Sequence, residues 1–208
     1  MTKLGSLALS LAVSAAVAGE PVTFERLLKA DAEPGNWLMY SGNYAGRRFS
    51  KLDQINAGNV DRLAPKWMLQ MRTTNKVETT PLVVDGIMYL TQPPNNVWAV
   101  DAESGRRLWS YNYKVPPKVV VCCGQVNRGL AILGDRLFMG TVDAKLVALD
   151  ARSGRELWKT EVFDYKQGYA VTLAPLVVKD KVIVGVTGGE YGARGFIDAY
   201  NASTGERA

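Results

Sequence analysis

Residues 97–109 read Val97-Trp98-Ala99-Val100-Asp101-Ala102-Glu103-Ser104-Gly105-Arg106-Arg107-Leu108-Trp109. Residues 146–158 read Leu146-Val147-Ala148-Leu149-Asp150-Ala151-Arg152-Ser153-Gly154-Arg155-Glu156-Leu157-Trp158, so Ala, Asp, Gly and Trp recur at a spacing of 49 residues. A third copy opens at Phe196-Ile197-Asp198-Ala199-Tyr200-Asn201-Ala202-Ser203-Thr204-Gly205, with Ala199 lying 51 residues after Ala148. Its Trp falls due just past Ala208, and the expectation is a chain cut inside its own repeat.

Each copy has an alternating apolar segment, an Asp-x-x-Ser-Gly turn (Asn-x-x-Thr-Gly in the third) and, in the first two, a second segment closing on Trp. That is the pattern of strand, tight turn, strand. Two more strand-like runs precede each copy, as in Thr80-Pro81-Leu82-Val83-Val84 with Gly86-Ile87-Met88-Tyr89-Leu90, or Ala174-Pro175-Leu176-Val177-Val178 with Lys181-Val182-Ile183-Val184. Four short strands in about 40–50 residues is the period of a β-propeller blade. The expected fold is therefore all-β, with three to four blades present. A single blade cannot bury both faces, so each Trp is read as a wedge between neighbouring blades. A parallel solenoid competes, but its repeat is usually shorter and does not explain the strand-turn-strand punctuation.

Around this repeat the chain has an ordinary globular composition. Of 208 residues, 47% are hydrophobic and 22% charged, with a net charge of +5, which excludes a disordered chain. The basic residues are scattered among acidic ones, and nucleic-acid binding is not expected. There is no His, so no Ser-His-Asp or Cys-His relay and no His-ligated zinc can be built from this stretch. Residues 1–18 carry Lys3, an apolar run from Leu4 to Val17 and the small residues Ala16-Val17-Ala18, which reads as a secretory signal. A buried N-terminal helix is the alternative; the run is too short for a membrane span of about 20 residues. Residues 19–208 form the expected domain.

Between the first two repeats stands Cys122-Cys123. Adjacent cysteines in an exported chain pair with each other, pair with a partner chain, or remain free. A bond between neighbours closes a small strained ring, and because it spans no chain loop it adds little stability through the unfolded state.

Cys122-Cys123, Val126-Asn127-Arg128-Gly129, Thr172-Leu173-Ala174-Pro175 and Gly185-Val186-Thr187-Gly188-Gly189-Glu190-Tyr191-Gly192 occur in an order that resembles the quinoprotein alcohol dehydrogenases of the methanol/ethanol type. The resemblance runs from about Trp37 to the last residue. It implies a partial eight-bladed β-propeller, pyrroloquinoline quinone (PQQ) with Ca2+ or a lanthanide, a periplasmic location, oxidation of a primary alcohol, and cytochrome c as electron acceptor. It implies a Cys122–Cys123 disulfide forming one face of the cofactor slot. It also implies cofactor contacts from Glu78, Arg128, Thr172, Thr187, Gly188 and Gly189, and metal ligation by Glu190. Gly189 stands where calcium-type methanol dehydrogenases more often have Ala, which draws the chain toward ethanol-type or lanthanide-type members.

The same resemblance places the catalytic base, an Asn metal ligand and the Trp of the other cofactor face downstream of the Glu190 loop. No residue here is nominated as base; neither Asp164 nor Asp198 lies in a matching motif. The expectation is the N-terminal, cofactor-binding part of an enzyme, inactive in isolation. The other reading is a non-enzymatic propeller scaffold of envelope assembly, which gives Cys122-Cys123 no special use and lacks the lipoprotein cysteine expected after the signal.

Overall fold

The computed structural model describes residues 20–208; the proposed signal at 1–18 lies outside the described residues. A short helix, α1 (Phe24–Leu28), is followed by eleven strands. The first sheet runs β1 (Leu82–Val84), β2 (Ile87–Gln92), β3 (Asn96–Asp101), β4 (Arg107–Tyr111). The second runs β5 (Ala131–Leu133), β6 (Arg136–Gly140), β7 (Lys145–Asp150), β8 (Glu156–Glu161). Both are antiparallel meanders, and both break register at the same repeat position, between Ala99 and Val100 and between Ala148 and Leu149.

The third sheet holds β9 (Leu176–Val178), β10 (Lys181–Gly185) and β11 (Ile197–Asn201). A bridge from Arg207 to Tyr200 begins the place of a fourth strand. Two complete blades and a three-stranded third are thus present, where three to four were expected.

The Asp-turns close because the carboxylate replaces missing backbone partners: Asp101 Oδ1 accepts from Ser104 N and Oγ, each at 2.7 Å, and Asp150 repeats this with Ser153 at 2.8 and 2.6 Å. Each turn ends on a left-handed glycine, Gly105 (φ +73°), Gly154 (φ +71°) and Gly205 (φ +76°).

Those glycines receive the repeat tryptophans. Trp109 donates its indole N–H to Ala151 O at 3.1 Å and lies on Gly154, while Trp158 donates to Ala202 O at 3.3 Å and lies on Gly205. Trp67 does the same one step earlier, donating to Ala102 O at 3.1 Å and covering Gly105. Its segment joins no sheet, yet Leu69 and Met71 alternate with it onto the buried Leu90, Trp98 and Val100. The main core fills the space between blades with Leu82, Val97, Leu137, Phe138, Leu146, Leu149 and Tyr200.

The segment before the first blade ties all three sheets together. Val22 bridges Gly134, Trp37 bridges Val83, and the Tyr44 hydroxyl donates to Val177 O at 2.6 Å. Arg26 on α1 clamps it, reaching Glu33 at 2.7 Å and Asp85 at 2.6 Å.

Candidate active site

Strand alternation divides the molecule into two ends. The Asp-turns joining third to fourth strands lie at one end; the connectors entering each sheet, with the loops from second to third strands, lie at the other. Glu78, Arg128 and Thr172 each precede the first strand of their sheet by three or four residues. Backbone bonds stitch these connectors together: Thr80 N donates to Arg128 O at 3.0 Å, and Arg128 N donates to Thr172 O at 3.1 Å.

The side chains repeat the stitching. Arg128 Nη2 meets Glu78 Oε2 at 2.9 Å, and Nη1 donates to Thr172 Oγ1 at 3.0 Å. The Arg128 and Glu78 side chains are 38% and 36% exposed, so screening limits the pair to about 1 kcal/mol or less of stability. Its use lies in orientation, since a guanidinium held on two sides presents its remaining donors in a fixed fork.

Beside this pair opens a cavity of about 240 Å³. Seven of the expected residues line it: Cys122, Cys123, Arg128, Thr172, Thr187, Gly188 and Glu190. Glu78 is bonded to Arg128 but, like Gly189, is not part of the wall. Val121, Gly124, Val126, Gly168, Ala170 and Tyr191 complete the lining; Val126 and Tyr191 stand in the motifs quoted above, whereas Gly168 and Ala170 carry small side chains that no local pattern marks.

The Glu190 loop is pinned where it must be. Ala170 N donates to Thr187 O at 3.2 Å and Thr187 N returns a bond to Ala170 O at 2.9 Å. Gly188 has φ +130°, and a β-carbon there would run into the Gly168 carbonyl. Tyr191 packs its Cβ onto Gly168 in turn, where a β-carbon would lie 2.6 Å away. Only glycines let these two loops approach so closely.

Cys122 and Cys123 are exposed, with both thiols in the reduced form. In this reduced form the Cys122 thiol is pushed up to about 11, first by its hydrogen bond with Cys123, then by desolvation, and further by Glu190. The Cys122 thiol and the Glu190 carboxylate are therefore neighbours on the lining of the cavity.

These residues fit an anionic organic group. Arg128 supplies cationic donors, Thr172 and Thr187 supply hydroxyls, and the Gly188 cradle excludes a side chain from the space. For a metal ion the fit is partial: Glu190 offers a hard carboxylate oxygen. No group of three or more His, Cys, Asp or Glu among the described residues is placed to hold an ion.

Residues 37–208 match the family described as PQQ: glucose/ethanol/alcohol dehydrogenase, beta-propeller domain. The chain belongs to the PQQ-dependent alcohol dehydrogenase family. Among its relatives in that family is quinohemoprotein alcohol dehydrogenase ADH IIB of Pseudomonas putida, 42% identical over all of this chain and 30% of the relative. The lanthanide-dependent methanol dehydrogenase of Methylacidiphilum fumariolicum is 44% identical over 88% of this chain and 31% of the relative.

Solved structures of PQQ alcohol dehydrogenases agree. Quinohemoprotein alcohol dehydrogenase ADHIIG from Pseudomonas putida HK5 superposes with a TM-score of 0.85 at 39% identity, over 92% of this chain and 29% of that one. A europium-containing methanol dehydrogenase gives 0.84 at 44% identity, over 88% and 33%. The chain spans about 30% of the length of the curated relatives it matches, and its three sheets are a portion of the propeller.

Proposed function

We propose that this chain is the N-terminal, cofactor-binding part of a periplasmic enzyme that oxidises a primary alcohol to an aldehyde with PQQ and Ca2+ or a lanthanide, passing electrons to a cytochrome c. The observation that carries this reading is Arg128, fixed between Glu78 and Thr172 on a cavity it shares with Glu190 and the cysteine pair. The names of the relatives, quinohemoprotein alcohol dehydrogenase and lanthanide-dependent methanol dehydrogenase, support it.

When bound, PQQ supplies a two-electron acceptor for the hydride of the alcohol carbon. Arg128 binds and orients cofactor oxygens with the donors that Glu78 and Thr172 leave free. Thr187, with the backbone at Gly188, receives a carboxylate, because a small residue permits close approach there. Glu190 contributes one oxygen ligand to the cation. Cys122 and Cys123, oxidised to a disulfide in the periplasm, form a rigid apolar wall on one side of the slot. The base that takes the alcohol proton is assigned to no residue of this chain.

The deciding experiment uses the full-length gene product, reconstituted with PQQ and either calcium or a lanthanide, with alcohol-dependent dye reduction as readout. Activity that requires both additions supports the reading; folded protein with neither activity nor cofactor absorbance removes it. Mass spectrometry of unreduced periplasmic protein tests the disulfide, which is lost as an idea if two free thiols are found.

A further inference from the structure

Among the described residues the buried polar and charged side chains are Thr91, Gln92, Asn95, Asn127, Thr141 and Asp143, and all lie at the cavity end of the first two blades. Two of them underlie the Arg128–Glu78 pair. Asn127 is fully buried; its Nδ2 donates to Gly140 O at 2.8 Å and its Oδ1 accepts from Gly129 N at 3.0 Å. Its carbonyl accepts from the Thr91 hydroxyl at 3.2 Å.

Thr91, also fully buried, turns its other contacts to Thr79: the two hydroxyls are 2.9 Å apart, and Thr91 N donates to Thr79 Oγ1 at 3.1 Å. Thr79 follows Glu78 in the chain and Asn127 precedes Arg128. One buried residue thus bonds the side chain of the residue after Glu78 and the carbonyl of the residue before Arg128. Gly140 extends the link, because a β-carbon there would run into Val171, the residue before Thr172.

We infer that Thr91 and Asn127 are positioning residues: through the Thr79–Thr91–Asn127–Gly140 network they set the Arg128–Glu78 pair, and so tune affinity for the cofactor without touching it. The inference rests on the proposed cofactor role of Arg128. Buried hydrogen-bonded groups are costly to leave unsatisfied, so loss of one partner shifts the groups it held.

The test compares Thr91→Val, Thr91→Ser, Asn127→Ala and Thr160→Val in the full-length protein. Thr160 donates to Gly205 O at 2.7 Å on the outer strand of the second blade, and its variant reports what loss of such a bond does to stability alone. Two readouts are taken: the Kd for PQQ by absorbance titration, and hydrogen exchange at the Thr80 and Arg128 amides. The expected result for Thr91→Val is PQQ binding weakened about five- to tenfold, with faster exchange at both amides. Thr91→Ser restores both, Thr160→Val changes neither, and Asn127→Ala, if it folds, is weaker again. Affinity within about twofold of the parent together with unchanged exchange in Thr91→Val overturns the inference. Faster exchange with no PQQ binding even in the parent protein retains the network and removes the cofactor reading instead.

Discussion

Gly154 lies flat against the Trp109 indole, with no room for a side chain: a β-carbon would stand 2.5 Å from the ring. Gly154 also holds a left-handed backbone, so strain and collision act together. Gly154→Ala is expected to destabilise the protein by about 2–4 kcal/mol, read as a lower denaturant midpoint. Trp109→Phe, which keeps an aromatic ring but loses the bond to Ala151 O, should lose about 1–2 kcal/mol.

Arg128→Lys keeps the positive charge and can still meet Glu78, but one ammonium cannot serve Glu78, Thr172 and a ligand in one plane. PQQ affinity should fall tenfold or more while the thermal midpoint stays within about 2 °C, measured by titration and calorimetry on the same samples. Equal affinity in the lysine variant contradicts the orienting role.

Gly188→Ala should abolish or strongly weaken PQQ binding through displacement of the Thr187–Glu190 loop, since its β-carbon meets the Gly168 carbonyl. The edge strand β8 of the second sheet is not part of that loop or of the cavity lining, so hydrogen exchange of its amides should change little. A variant that binds normally shows the cradle to be looser than its geometry.

In the reduced protein, the raised Cys122 thiol, at about 11, makes thiolate scarce at neutral pH. Alkylation of Cys122 by iodoacetamide should be slow at pH 8 and accelerate as pH rises toward 11, followed by peptide mass spectrometry. Glu190→Gln removes a carboxylate that holds the thiol up, so its alkylation profile should move to lower pH.

The Arg26 clamp gives an acid dependence. Asp85 and Glu33 are both held below their ordinary values, chiefly by hydrogen bonds from Arg26. Groups with depressed folded values stabilise above the unfolded carboxylate range and lose that contribution as pH falls through the folded values. Arg26→Met should remove about 1 kcal/mol at pH 7 and less at pH 3, so the two proteins converge in acid urea titrations.

The repeat was legible because Trp109 and Trp158 recur in register with Gly105, Gly154 and their Asp-turns, and packing repeats wherever the blade repeats. Trp67 was not, because no turn motif precedes it and its segment joins no sheet. The site was legible only in part. Arg128, Thr187 and Glu190 stand in distinctive motifs, but nothing local to Glu78 or Thr172 shows that connectors from three sheets bring them onto one guanidinium. Thr91 was invisible for a related reason: a hydroxyl on an alternating strand looks like a solvent-facing position until the neighbouring connector covers it.

The Trp–Gly–carbonyl contact joins blade to blade entirely at the end away from the cavity. The sheets are therefore held at both ends, by aromatic packing at one and by the backbone bonds between connectors at the other, and the recognition groups sit only at the second. Loops at the cavity end can be lengthened, recharged or regrown for another ligand, and the Trp–Gly contacts at the far end keep the spacing of the sheets; a family that repeats this contact carries an adaptable face on a fixed frame.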